Sequence, residues 1–155
     1  MPKIDVKSLP VRTGSRYPAP FDQPCRERAR KALGDAGGLT QFGVNLLTLL
    51  PGVWSSQRHW HLGEDEFIYV LTGEVTMVTD AGEEILKPGD CAAFAKNDGN
   101  GHHLVNRSAA PATLLEVGTR LGGDTVQYPG IDLIWDGERE CYIHRDGTPY
   151  KMKQG

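Results

Sequence analysis

Between residues 42 and 118 the chain is cut into short runs by glycine and proline–glycine turns, and within the runs apolar residues tend to alternate with polar ones. No other feature limits the fold as much. A helix needs an apolar stripe recurring roughly every 3.6 residues over about ten residues or more, and these runs end before one can develop. In 42–50 the even positions are mostly apolar, and Pro51-Gly52 closes the run. Strand-like runs follow at 54–61, 66–71, 74–79, 83–86, 91–94, 102–106 and 112–118. Thr72-Gly73, Asp80-Ala81-Gly82 and Pro88-Gly89-Asp90 supply the turns between them. Many short strands at this spacing predict an all-β sandwich or barrel rather than a βαβ fold. The 19 Gly and 10 Pro among 155 residues fit such a turn-rich chain, and a 39% hydrophobic share is enough for a packed core.

The two ends read differently. Residues 1–21 are rich in proline and polar groups and predict an extended arm. Residues 22–34 carry the punctuation of a short helix, with Asp22 at the N-cap, Pro24 in the first turn and Gly34 at the close. The Arg/Lys run within it reads as a solvated face. After an extended stretch at 125–128 the tail reads as a polar terminus, in which residues 142–146 are expected to be exposed. The expected division is an arm with a short helix (1–38), a barrel (39–120) and a C-terminal extension packing on the barrel (121–155).

Seventeen basic residues against twenty acidic ones give a net charge of -3, without a basic stripe. Nucleic acid and anionic membrane are therefore not expected partners. No apolar run approaches the roughly 18 residues of a membrane span, and the opening Met-Pro-Lys-Ile-Asp-Val lacks the pattern of a signal peptide. Cys25, Cys91 and Cys141 are far apart and predict free thiols in a reducing cytoplasm.

Four of the five histidines fall in two tight groups, His59-Trp60-His61 and His102-His103. Residues two apart on a strand share a face, so His59 and His61 stand side by side as two ligands of one metal must. Glu66 opens the next strand, where a hairpin can bring its carboxylate beside the imidazoles. An antiparallel sheet closing over them can add His102 as a fourth ligand.

With their glycine frame these residues resemble the cupin superfamily. Its first motif, G-x5-HxH-x3/4-E-x6-G, is similar to the stretch from Gly52 through His59, His61 and Glu66 to Gly73, with one extra residue before the first histidine. Its second, G-x5-PxG-x2-H-x3-N, resembles the stretch from Gly89 to His102-His-Leu-Val-Asn106, with Ala95 in the place of the proline and a longer loop at 96–101. The H-x3-N spacing selects His102 rather than His103. The resemblance spans 45–118, and the chain also looks like small bacterial cupins regarded as candidate sugar-phosphate isomerases. It implies a jelly-roll β-barrel with His59, His61, Glu66 and His102 around one divalent metal ion. Three imidazoles and a carboxylate suit Mn, Fe, Ni or Zn, and a six-coordinate ion would keep open positions for a small bidentate ligand.

Strand parity extends this reading. Gln57 and Ser55 share the inward face with the histidines, so Gln57 is a candidate substrate contact. Lys96, in the loop before His102, is a second candidate that could close over the mouth. No arginine or lysine has an inward position by parity. Ile68 and Val70 give the site an apolar floor, while Phe67, Tyr69 and Leu71 form an outer apolar row. A row of that kind needs a cover, and a homodimer or the N-terminal arm is expected to supply it. Two functions fit: a metalloenzyme acting on a small oxygen-rich substrate by isomerisation or dioxygenase-like chemistry, or a non-catalytic module that binds a small ligand.

Overall fold

The computed structural model describes residues 3–151, so the first two residues of the expected arm and the last four of the tail lie outside the described residues. Strands dominate, and no helix is long and apolar enough to cross a membrane. One layer is a six-stranded sheet. It contains β1 (Arg12–Thr13), β2 (Ala29–Ala32), β3 (Phe42–Leu49), β5 (Glu66–Thr72), β8 (Cys91–Phe94) and β10 (Ala112–Thr119), in the order β1-β2-β3-β10-β5-β8. The facing layer has two parts. One is β7-β6-β9, made of β6 (Val75–Thr79), β7 (Gly82–Leu86) and β9 (His103–Val105). The other is β13-β12-β11-β4, made of β4 (Trp60–His61), β11 (Thr125–Gln127), β12 (Ile134–Asp136) and β13 (Cys141–Ile143). Isolated bridges from Trp54 to Val105 and from His59 to His102 sew these parts together.

The alternation seen in the sequence becomes two faces. Register places Arg30 beside Leu47, Leu47 beside Leu114 and Leu114 beside Val70, all on the inner face. Leu47, Val70 and Leu114 pack there against Val75, Leu86 and Leu104 of the other layer. Each such side chain fully removed from water contributes about 1.5–3 kcal/mol. A second core joins the arm to the C-terminal strands through Tyr17, Cys25, Val126, Tyr128 and Leu133.

Two sequence expectations are corrected. Residues 22–34 do not form one helix. A 3-10 turn at Gln23–Cys25 leads into β2, and the only α-helix among the described residues, α1, is Leu33–Ala36. A helix here would have had little apolar surface to bury. As a strand, 29–32 instead satisfies its backbone groups against β3, and Cys25 is sealed in the second core. The tail is also more than an exposed terminus, because β12 and β13 pair there and Tyr142 and Trp135 pack on the second core.

The arm does not reach the outer apolar row. It pairs with β2 at the far edge, where Lys31 Nζ also donates to the Val6 carbonyl at 2.8 Å. Phe67, Tyr69 and Leu71 are left about two-fifths exposed.

Gly73 ends β5 with φ +72°, and a Cβ there would lie 2.6 Å from the Pro111 carbonyl oxygen and 2.8 Å from Ala112 Cα. Both neighbours are backbone and cannot step aside. Gly73→Ala is therefore expected to destabilise the protein by about 2 kcal/mol or more in chemical denaturation. Gly122, with no atom in the way of a Cβ, should tolerate alanine within about 0.5 kcal/mol. Equal losses at the two positions would contradict this account of the turn.

Candidate metal centre

Three imidazoles converge on one carboxylate oxygen. Glu66 Oε2 lies 2.8 Å from His102 Nε2, 3.2 Å from His59 Nε2 and 3.5 Å from His61 Nε2. The fold explains how residues so far apart in sequence meet. The bridge between His59 and His102 lies just before β4, which carries His61, and Glu66 begins β5 in the opposite sheet.

Hydrogen bonds at the other ring nitrogens fix which atoms face inward. His59 Nδ1 lies 2.9 Å from the Gln57 carbonyl, which can only accept, so Nδ1 carries a proton and Nε2 is the atom turned to Glu66. His61 Nδ1 lies 2.6 Å from Asp124 Oδ2, and Asp124 Oδ1 accepts from Gly63 N–H at 2.7 Å. Asp124 thus clamps both the ligand strand and the loop behind it, the usual way a carboxylate orients a metal-binding histidine. The Phe94 ring stacks on His102, centroids 3.5 Å apart, and holds that imidazole flat against β8.

Charge follows the same geometry. Burial alone would lower the His61 pKa, but the Glu66 and Asp124 carboxylates outweigh it and raise it to about 9. Burial opposes ionisation of Glu66, yet the three histidines hold its pKa well below the usual carboxylate range. His102 is pushed down by burial against the pull of Glu66. The donor set fits a divalent ion: it would take the place of the protons that the imidazoles share with Glu66, and His59, His61 and Glu66 offer ligand atoms within reach of one small cation.

A cavity of about 180 Å³ opens in front of the four residues, with Leu47, Ile68 and Leu114 on its apolar side and Tyr17 and Tyr128 on its polar side. Two charged groups that the sequence reading missed also line it, Glu116 and Arg28. Glu116 follows Ala112 and Leu114 at inward parity on β10, so a charged residue in an otherwise apolar alternation was the signal available. Loss of water inside the barrel, and next the negative charge of Glu66, push its pKa above the ordinary carboxylate value. Arg28 corrects the expectation that no cation faces inward; its placement depends on β2 being a strand. Asp124, on the loop before β11, gave no motif to find it by.

The other expected contacts lie elsewhere. Gln57 is buried, but its amide donates to the Phe21 carbonyl at 2.7 Å and it does not line the cavity. Parity fails there because 55–58 bends instead of running as a strand, and Ser56 turns inward beside His59. Lys96 is exposed and also outside the lining, with its N–H on Asp65 Oδ1 at 2.8 Å. His103 points away from the cluster and stacks on Trp54, centroids 4.4 Å apart. Burial, above all, lowers its pKa to about 4.

The family model of the cupin domain matches residues 45–118. Among solved structures, a cupin-superfamily sugar phosphate isomerase from Silicibacter pomeroyi is 46% identical. The alignment covers 99% of each chain with a TM-score of 0.91. A candidate sugar phosphate isomerase from Acidithiobacillus ferrooxidans is 29% identical over 83% of this chain and 82% of that one, with a TM-score of 0.72. The polyketide cyclase RemF from Streptomyces resistomycificus, 19% identical over 77% of this chain and 79% of its own, shares the fold with a TM-score of 0.60. No curated protein matches the chain.

Glu116 generates a pH prediction. Its folded-state pKa lies above the ordinary value of 4.5, so above that pH the folded chain holds this proton more tightly than the unfolded chain does. Stability from this group is therefore present at low pH and lost as pH rises through the folded pKa. Glu116→Gln should lose less stability than the parent between pH 5 and pH 8, measured by urea denaturation. Parallel pH profiles for the two proteins would contradict the assignment.

Proposed function

The chain belongs to the cupin superfamily, and on that premise we propose that it is a metalloenzyme that isomerises a small, oxygen-rich substrate of the sugar-phosphate kind. His59, His61, Glu66 and His102 would hold one divalent ion. The observation that carries the reading is Glu116, a carboxyl group that lines the same cavity as the three imidazoles but stands outside the ligand set. A binding module has no need of such a group, whereas proton transfer between neighbouring carbons does.

The bound ion would polarise adjacent oxygens of the substrate as a Lewis acid. The chain's own residues would do the rest. Glu116, as a carboxylate made more basic by its surroundings, can accept a proton from one substrate carbon and return it to the next, so it ends as the carboxylate it began as. Leu47, Ile68 and Leu114 form the apolar side of the cavity, and Asp124 holds His61 in the binding tautomer. The two relatives described as sugar phosphate isomerases support the substrate class.

The test is exchange of substrate carbon-bound hydrogen with deuterated water, followed by NMR on metal-loaded protein with a panel of aldose and ketose phosphates. Glu116→Gln should keep its metal and lose exchange by about 100-fold or more. Asp124→Asn should weaken metal affinity about 10- to 100-fold in competition with a chelator. Metal-dependent ligand binding without exchange in the parent protein would replace the enzyme with a non-catalytic binding module.

The proposal includes a homodimer. With the arm on the far edge of the sheet, a second copy is the cover left for Phe67, Tyr69 and Leu71. Light scattering should give twice the chain mass, and Tyr69→Lys should shift it toward the monomer. A parent protein that is monomeric across the micromolar range would contradict this.

A further inference from the structure

A second hollow, of about 560 Å³, shares Tyr17 and Arg28 with the metal cavity. Its wall holds four guanidinium groups, those of Arg12, Arg16, Arg28 and Arg30, and no carboxylate. The fold gathers them for a plain reason. Arg12 pairs with Arg30 across β1 and β2, and Arg28 lies two residues before Arg30, so an alternating Arg-Ala-Arg stretch turns both side chains to one face.

Several donors there remain available. Arg28 gives Nη1 to the Ser55 carbonyl at 2.6 Å and Nη2 to the Gly14 carbonyl at 3.1 Å, while its buried Nε has no partner. Ser15 Oγ, also in the wall, is buried and unpartnered as well. Arg16 lies over the Trp135 ring, 5.1 Å from its centroid, and its side chain is exposed. Two acids face the group: Asp35 lies 3.9 Å from Arg12, and Glu116 acts on Arg30 from the barrel side. Burial lowers the Arg30 pKa; Glu116 resists this, and Arg28, Arg12 and Arg16 add to it. Four like charges on a chain of net charge -3 are unfavourable without an anion between them.

We propose that this hollow binds a phosphate group, either free phosphate or the phosphate end of a small phosphorylated molecule. Planar guanidinium forks match phosphate oxygens two at a time, and a serine hydroxyl adds a neutral donor. The shared wall sets a bound phosphate next to the metal cavity. The site extends the metal reading without resting on it, because neither the arginines nor Ser15 belong to the candidate ligand set.

The experiment uses full-length protein stripped of metal by a chelator, with inorganic phosphate, ribose 5-phosphate and ribose titrated by calorimetry in chloride buffer. Both phosphates should bind and ribose should not. Arg16→Gln and Arg12→Gln, which change exposed side chains, should each weaken binding about tenfold, and Arg30→Gln should weaken it more. Thermal melts check that each variant is folded. Tighter binding of ribose 5-phosphate assigns the site to a phosphorylated substrate, and equal binding assigns it to the free anion; both support a phosphate site. No binding, or binding unchanged in Arg16→Gln and Arg12→Gln, overturns the proposal. Phosphate binding that persists in His61→Ala would leave this site standing even if that position held no metal.

Discussion

One carboxylate oxygen holds this structure's chemistry together. Glu66 Oε2 sits within 3.5 Å of three imidazole nitrogens, two from the isolated bridge between His59 and His102 and one from the short strand β4. A carboxylate enclosed in a barrel is costly unless positive charge meets it, and a divalent ion would meet it better than shared protons can. The rest of the arrangement serves that meeting. The bridge between His59 and His102 closes the second layer, Phe94 flattens His102, and Asp124 brings the C-terminal strands to bear on His61. The C-terminal strands are thus part of the centre although none of the motif residues lie in them.

Charge is zoned around this point. The histidines and Glu66 line the cavity, Glu116 faces them from β10, and Arg28 forms the boundary with a hollow lined by arginines. A substrate with vicinal oxygens at one end and a phosphate at the other would meet a different electrostatic environment at each end. RemF, 19% identical, shares only the fold, so the case for chemistry in this chain rests on its own side chains rather than on the barrel.

The barrel was legible in the sequence because period-two alternation and glycine turns act locally; residues 42–50, 66–71 and 112–118 needed no distant partner to be recognised as strands. The four histidine and glutamate positions could be read because their spacing repeats a known motif. Arg28 could not, since its inward direction depends on 29–32 pairing with β3 rather than coiling into the helix that its capping signals suggest. Asp124 was hidden for a similar reason: a lone aspartate in a glycine-rich loop gains meaning only when β11 pairs with β4 and carries it to His61. Gln57 marks the opposite failure, where strand parity was applied across a bend that breaks it.

Elemental analysis of protein purified without a metal-affinity tag tests the central claim most directly, compared with the same measurement on His61→Ala. The account predicts close to one divalent ion per chain in the parent. In the variant it predicts much less metal and a lower melting temperature, since an ion bound only by the folded state stabilises it. A parent protein that stays metal-free after exposure to Mn, Fe, Ni and Zn, or a His61→Ala variant that keeps a full complement, would contradict it.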